Sequence, residues 1–509
     1  MRRLFGWLWL ASACAPPPAT PPIAPPASES APRELTILYT SDEHGWIAPK
    51  DDRYAHLGGA SQLLGALLRR EAHCPGSLDA DGLAIRPSRE HCPGATLLLS
   101  GGDNYTGPAV STHLRGRSVA DTMRVLGYAA SAFGNHELDF GHEALLENRR
   151  RSGVRYLAAN MVRLDGKPDE LAEPYAVFER NGVKLGVIGI ATVTTPSVGM
   201  RQRFVGYRFD DVEATLARTV PRVWSEDVDA VVVVAHECHD VLAPLFARHP
   251  EWDLAFVGTG HCHRSAVLRA GATLLLAPAW SLSHYGRVRL RVDPTRPKRK
   301  RAELVDWGLV DVASPVEGPL ASGSSSLDAA IAGWQRKVDV ELGEVIGHSQ
   351  GMAVGSPAMS RWILGAWLDA YPEAELALTT RGALRQELSA GPVTLASVQS
   401  VMPFENELVL LRVPREEVPG LVSRAKSLVR GVRCDAAGCT REDGTALAEQ
   451  VTVVTTDFLY HGGDGYALER FDPRGRMTGT DWRAPVIAWT RASGSTRESP
   501  LEAKLSAAP

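Results

Sequence analysis

Ile37-Leu38-Tyr39-Thr40-Ser41-Asp42-Glu43-His44-Gly45 decides how this chain is read. A run of apolar, β-prone residues stops at a short loop carrying an acid, an imidazole two positions later, and a glycine. An apolar run without polar alternation predicts a strand buried on both faces. In locally extended backbone the side chains of Asp42 and His44 point the same way and can converge on one centre. Gly45 beside them lets backbone or ligand approach closely.

The arrangement recurs along the chain. Strand-like runs at Leu35 to Tyr39, Thr96 to Leu99, Lys184 to Ile190, Asp229 to Ala235, Leu254 to Val257 and Thr273 to Leu276 alternate with helical stretches, which predicts the α/β class. At their ends stand Gly101-Gly102-Asp103-Asn104, Gly134-Asn135-His136-Glu137-Leu138-Asp139, Ala235-His236 and Gly260-His261-Cys262-His263. In open α/β sheets that edge is where ligands bind. Asp42, His44, Asp103, Asn135, His236, His261 and His263 make seven oxygen or nitrogen donors. That is too many for one tetrahedral zinc and suits two divalent cations sharing a carboxylate. Any one of these motifs alone is what a capped turn or a surface histidine pair would give; their order singles them out. His239 follows His236 in His-Glu-Cys-His, one residue short of the spacing that sets two imidazoles on one helical face, so a zincin-type protease is disfavoured. Trp46 reads equally as cleft wall or core.

The composition is that of an ordinary globular chain with two or three cores: 509 residues, 44% apolar and 22% charged. Lys plus Arg total 55 against 59 Asp plus Glu, and a net charge of −4 removes the broad basic footprint of a nucleic-acid polymer binder. The basic run Arg296 to Arg301 follows a strand in a proline-containing connection and reads as a solvated loop. No apolar run reaches the roughly 20 residues of a membrane span.

Taken in order, the five motifs resemble the calcineurin-like metallophosphatases. The Asp42 and Asn135 motifs are similar in particular to the 5′-nucleotidase and UDP-sugar hydrolase family. The resemblance implies a metallophosphatase β-sandwich flanked by helices over 34–311, linked by a helix to a smaller α+β recognition domain. The intervening 312–342 is Ser/Gly/Pro-rich as far as 326 and helical in period from Leu327 to Leu342, a linker and connecting helix. The second domain is then expected over 343–490, with 491–509 as a mobile tail. Carried over by position, Asp42, His44, Asp103 and His263 would hold one cation and Asp103, Asn135, His236 and His261 the other. Zinc, manganese and iron all suit such donors. The resemblance makes a water activated between the cations the nucleophile, and gives His136 and Asp139 the role of a dyad that stabilises or protonates the transition state.

Further along, Thr379-Thr380-Arg381-Gly382-Ala383-Leu384-Arg385, Met402-Pro403-Phe404-Glu405-Asn406 and Phe458 with Gly462-Gly463-Asp464-Gly465-Tyr466 resemble the C-terminal domain of the same family. By that likeness Arg385 binds phosphate or a neighbouring oxygen, Phe404 and Phe458 sandwich a base, and Asp464 takes ribose hydroxyls. Stacking on an aromatic face is sequence-tolerant. The plain alternatives are core aromatics, a turn aspartate and a surface arginine. Where the family shows Asn-x-Gly-Gly-x-Arg this chain has Thr380 to Arg385, and the stretch 347–357 lacks the arginines that often help bind phosphate; Arg361 or Arg381 are candidates to replace them. A family-like domain rotation would place the hinge in 321–326 and the helix that follows.

At the N-terminus, Met1-Arg2-Arg3, the apolar Leu4 to Leu10 and Ala11-Ser12-Ala13 before Cys14 read as a signal over 1–13. Cleavage after Ala13 would leave Cys14 to be lipidated, followed by a Pro-rich spacer over 14–33, as in bacterial lipoproteins; a soluble export signal is the alternative. Seven cysteines leave six once Cys14 is lipidated. The expected pairs are Cys74–Cys92, Cys434–Cys439 and Cys238–Cys262, although spacing does not fix connectivity. The repeated His-Cys-Pro-Gly at 73–76 and 91–94 is also a possible Cys₂His₂ zinc set.

The expectation is therefore an exported phosphohydrolase of the periplasm or outer membrane, touching membrane only through an N-terminal lipid and releasing nucleoside and phosphate from small-molecule 5′-nucleotides. A 2′,3′-cyclic-nucleotide phosphodiesterase with 3′-nucleotidase activity, a UDP-sugar hydrolase or a thiosulfate-ester hydrolase would share the scaffold. A nucleotide-binding surface lipoprotein without turnover is the alternative of another class.

Overall fold

The computed structural model describes residues 31–49, 59–80, 83–85, 92–313, 322–436 and 438–507. The expected signal, Cys14 and His91 lie outside these residues.

Two six-stranded sheets face each other in the N-terminal part. In the first, Arg33–Thr40 lies between His284–Val292, antiparallel, and Thr96–Ser100, parallel. Tyr128–Ala132 and Arg155–Leu157 continue it in parallel. In the second, Val183–Ala191, Ala230–His236, Phe256–Thr259 and Thr273–Pro278 are parallel, edged by antiparallel Tyr175–Arg180 and Ser265–Ala270. Side chains alternate along each strand, so each strand feeds two cores. Leu35, Ile37 and Tyr39 meet Val187, Val232 and Phe256 between the sheets. Leu38 and Leu98 face outward onto the helices Ala60–Glu71 and Arg117–Leu126. Ile188, Ile190, Val231 and Val233 do the same for Val212–Ser225 and His239–Arg248. Both faces of both sheets are covered, which is why the strands read as unbroken apolar runs.

The connecting helix Ser322–Leu342 packs on the N-terminal core through Leu327, Ala330, Ile331 and Trp334. The second part is built on a five-stranded sheet, Ser427–Arg430, Leu376–Thr380, Gln450–Thr456, Glu407–Pro414 and Arg476–Asp481. The helices Pro357–Ala370 and Ala484–Ala492 cover one face, around Trp362, Trp367 and Trp482.

Two expectations need correction. The segment expected as a mobile tail from 491 carries the helix Leu501–Ala507, with Leu501 fully buried. There the Glu502 carboxylate accepts from Ser349 Oγ (2.6 Å) and Gln350 N (3.0 Å). Two buried leucines at four-residue spacing outweigh the polar composition before them. Secondly, the disulfides formed are Cys238–Cys262 and Cys434–Cys439, and the expected Cys74–Cys92 bridge is not made. The zinc alternative fails there as well. His73 is buried, with Nδ1 at Thr96 Oγ1 (2.8 Å) and Nε2 donating to Leu126 O (2.8 Å), so both ring nitrogens are spent on the fold.

Candidate metal centre and cleft

The C-terminal ends of five parallel strands, drawn from both sheets, meet at one rim. Asp42, Asp103, Asn135 and His236 are buried there, as is His44, while His261 and His263 are half-buried. Donor atoms of Asp42, His44 and His263 lie within 4.8 Å of one another, and so do those of Asp103, His236 and His261. Asp103 Oδ2 stands between the two groups, 3.7 Å from His44 Nε2 and 3.2 Å from His236 Nε2. Asn135 joins the second group. Its Nδ2 donates to Val198 O (3.2 Å), which turns Oδ1 to His236 Nε2 (3.1 Å).

The loops reach these positions in backbone that side chains seldom adopt. Asp42 (φ 54°), His44 (φ 45°), Asp103 (φ 59°), His261 (φ 69°) and His263 (φ 53°) are all left-handed. Such residues cost on the order of 1–3 kcal/mol each and cluster where function needs them. Hydrogen bonds between loops hold the strain: His44 N to Asp103 O (2.9 Å), His136 N to Asp103 Oδ1 (2.9 Å) and His261 N to Asp42 Oδ2 (3.0 Å). Glu137, given no role from the sequence, is the buried hub. It accepts from Gly134 N (2.6 Å), Asp103 N (3.1 Å) and Asn104 N (2.9 Å).

The donor chemistry fits divalent cations. A carbonyl only accepts, so His44 Nδ1 donates to Thr106 O (3.1 Å) and His236 Nδ1 to Gly101 O (2.8 Å). Each ring then presents an Nε2 lone pair inward, toward His263 Nε2 at 2.9 Å in one case and toward Asn135 Oδ1 and Asp103 Oδ2 in the other. Lone pairs aimed at each other call for positive charge between them. Carbonyl partners fixing the tautomer of a ligating histidine are the usual support of a metal site. A proton meets the same demand for positive charge: burial opposes charge on His236, yet the Asp103 carboxylate outweighs it and holds that imidazole up at about 10, and a cation bound there would take the proton's place. Burial would raise the Asp42 carboxyl, but His263 and His236 hold it at about 2. Burial, with His236 beside it, pushes His261 down to about 4.

Beside this cluster, His136 Nδ1 donates to Asp139 Oδ2 (2.9 Å), an oxygen that also accepts from Thr106 Oγ1 (2.8 Å). The opposite nitrogen, Nε2, accepts from Arg385 Nη2 of the second domain at 2.6 Å. Phe404 stacks on the His136 ring, with centroids 5.2 Å apart, and the Arg385 guanidinium lies 5.1 Å from the Phe404 centroid. Arg385, Phe404, Phe458 and Asp464 line one cavity of about 330 Å³ together with Asp103, Asn135, His136, Asp139, His261 and His263. Phe404 and Phe458 are half-buried, with Phe404 backed by the Trp362 core and Phe458 resting on Gly463. Asp464 is left-handed (φ 49°) and its Oδ2 accepts from Thr380 Oγ1 (2.8 Å).

Arg361 and Arg381 do not line this cavity, whereas Lys426 and Asn406, which sequence gave no reason to select, do. Trp46 is buried against Trp280 and stands outside the lining; Trp280 stacks on His263 at 5.2 Å, nearly coplanar. His239 belongs to neither ligand group.

Fold and site together define a two-domain α/β chain with an N-terminal two-sheet sandwich flanked by helices, whose rim of Asp, His and Asn side chains is closed by a second domain. Residues 333–419 match the family model described as the 5′-nucleotidase, C-terminal domain. Among characterised relatives, a 5′-nucleotidase of Vibrio cholerae is 26% identical over 498 residues, covering 85% of this chain and 86% of that one. Protein UshA of Escherichia coli is 24% identical over 436 residues, 76% of this chain and 75% of its own. The crystal structure of a 5′-nucleotidase precursor from Thermus thermophilus superposes with a TM-score of 0.71 at 20% identity, over 91% of this chain and 97% of that one. Over most of its length the chain is similar to 5′-nucleotidases and to protein UshA.

Proposed function

We propose that this chain is an exported, metal-dependent phosphohydrolase that releases phosphate and nucleoside from 5′-nucleotides. The observation that carries the reading is one cavity whose wall is shared by the Asp103-centred donor cluster, the His136–Asp139 pair and two half-buried phenylalanines of the second domain. Asp42, His44, Asp103 and His263 would hold one divalent cation and Asp103, Asn135, His236 and His261 a second. Bound there, such cations neutralise phosphoryl oxygens and lower the pKa of water.

The chain's own groups supply the rest. Asp139, anchored by Thr106, fixes the His136 tautomer so that Nε2 faces the cavity. Once protonated, that nitrogen donates to the oxygen on which charge develops or to the leaving group. The Arg385 guanidinium, which meets Nε2 in this structure, is placed to transfer its hydrogen bond to a substrate oxygen. Phe404 and Phe458 take the base and Asp464 the ribose hydroxyls. Among the described residues no helix is long and apolar enough to cross a membrane; a lipid on Cys14 after removal of 1–13 is the proposed anchor.

Steady-state kinetics of the purified protein on AMP, a 2′,3′-cyclic nucleotide, UDP-glucose and an artificial phosphomonoester, with metals removed by EDTA and restored singly, test the reading. AMP should give the highest kcat/KM, abolished by EDTA and restored by a divalent cation. Tight AMP binding without phosphate release would replace the enzyme with a binding protein.

A further inference from the structure

The loops that follow Ala230–His236 and Phe256–Thr259 are joined covalently. Cys238, two residues past His236, is bridged to Cys262, which sits between His261 and His263, with the Cα atoms 5.3 Å apart. The non-covalent ties between the loops are weaker: Gly260 N donates to Glu237 O at 3.2 Å, and Arg264 Nη2 to Asp240 Oδ2 at 2.8 Å on an exposed surface. Both neighbours of Cys262 are left-handed non-glycine residues. Such backbone persists only where its surroundings over-determine it. The bridge is the one covalent restraint on it among the described residues. The other disulfide, Cys434–Cys439, closes the hairpin Val432–Asp435 to Gly438–Arg441 and does not line the cleft.

We propose that the Cys238–Cys262 disulfide is a positioning element of the metal centre, holding the His236 loop and the His261–His263 loop at ligand spacing so that cation affinity depends on the pair being oxidised. The proposal rests on the metal-dependent reading above. Cys262 is half-buried and lines the cleft, so a reductant reaches the bridge from the substrate side. With a water-soluble phosphine the S–S bond breaks, the two sulfurs take protons from water, and the phosphine is oxidised by accepting the water oxygen.

The test compares wild type, Cys238→Ser/Cys262→Ser and Cys434→Ser/Cys439→Ser loaded with Co²⁺. Bound metal is measured by elemental analysis against a chelator series, the ligand field by visible absorption, and folding by circular dichroism. The first variant should stay folded, bind Co²⁺ at least about tenfold more weakly and show an altered visible spectrum, as loss of outer support does at metal sites. Excess Co²⁺ should restore its kcat. The second variant should match wild type. Unchanged Co²⁺ affinity and spectrum in the folded first variant overturn the proposal. Should that variant not fold, the native protein reduced after folding gives the same comparison: release of Co²⁺ supports the proposal, and full retention with two new thiols titrated overturns it. A wild-type protein that binds no divalent cation overturns the metal-dependent reading itself, a failure distinct from the others.

Discussion

At the scale of single residues, the imidazole of His136 touches three groups with different tasks: Asp139 at Nδ1, Arg385 at Nε2 and the Phe404 face on its ring. It belongs to neither donor group. His136→Gln should therefore lower kcat by about 10²–10⁴-fold, the usual range for a lost acid–base group, while bound metal measured by elemental analysis stays as in wild type. Parallel loss of metal would place His136 among the ligands instead. Phe404 and Phe458 lead to a different split. If they stack a base, each change to Ala removes about 1–3 kcal/mol of binding, roughly 5- to 150-fold in kcat/KM for AMP. An artificial phosphomonoester without a base should be hydrolysed nearly as before; equal losses on both substrates would make the rings core residues.

At the scale of elements, the loop joining Tyr128–Ala132 to the following helix is constrained by a missing side chain. A Cβ on Gly134 would overlap Asp103 Oδ1 and crowd Asp103 N and Glu137 Oε2. Gly134→Ala should displace the carboxylate shared by both donor groups, so the expected outcome is loss of bound metal and of phosphate release together, with the fold retained by circular dichroism. The helix Ala60–Glu71 is followed by another such anchor. His73 is buried and neutral, and burial pushes its pKa down to about 4 from an ordinary 6.5. Between those values the unfolded chain binds a proton that the folded chain refuses, so folding stability rises with pH across this window and falls as pH drops from 6.5 toward 4. The lost stability is of order 3 kcal/mol at the acid end. Thermal melts from pH 4 to 7 should show a shallower dependence in His73→Gln than in wild type, whatever its absolute stability.

At the scale of the whole molecule, the cleft closes where the second domain leans on the first. Glu405, next to Phe404, reaches Arg115 at 3.6 Å and Arg203 at 3.7 Å, and Arg201 Nη1 donates to His461 O at 3.3 Å. These are half-exposed pairs, each worth about 0–1 kcal/mol and screened by salt. Glu405→Gln should change kcat/KM less than about fivefold at low ionic strength, and the difference should vanish in 0.5 M NaCl, where the Debye length lies between the roughly 10 Å of 0.1 M salt and the roughly 3 Å of 1 M. A large, salt-independent effect would mean Glu405 touches substrate. The stretch named for the hinge is helical from Ser322, and its helix packs on the N-terminal core through Trp334.

The sequence by itself determined the buried strands and the donors at their ends. Both are local signals: apolar runs covered on both faces, and Asp, His and Asn beside glycine where a strand stops. It also named Arg385, Phe404, Phe458 and Asp464, by likeness of motif. Only the tertiary structure decided which loops meet: it gave a part to Glu137, which stood inside a quoted motif without a role, and to Lys426 and Trp280, which no motif marks. The same holds for Cys74 and Cys92, and for the C-terminal helix, whose two leucines acquire meaning only against the core beneath and whose Glu502 only against Ser349. Periodicity reports what one element buries; contact between distant elements depends on the packing of all of them, and no short window of sequence contains it.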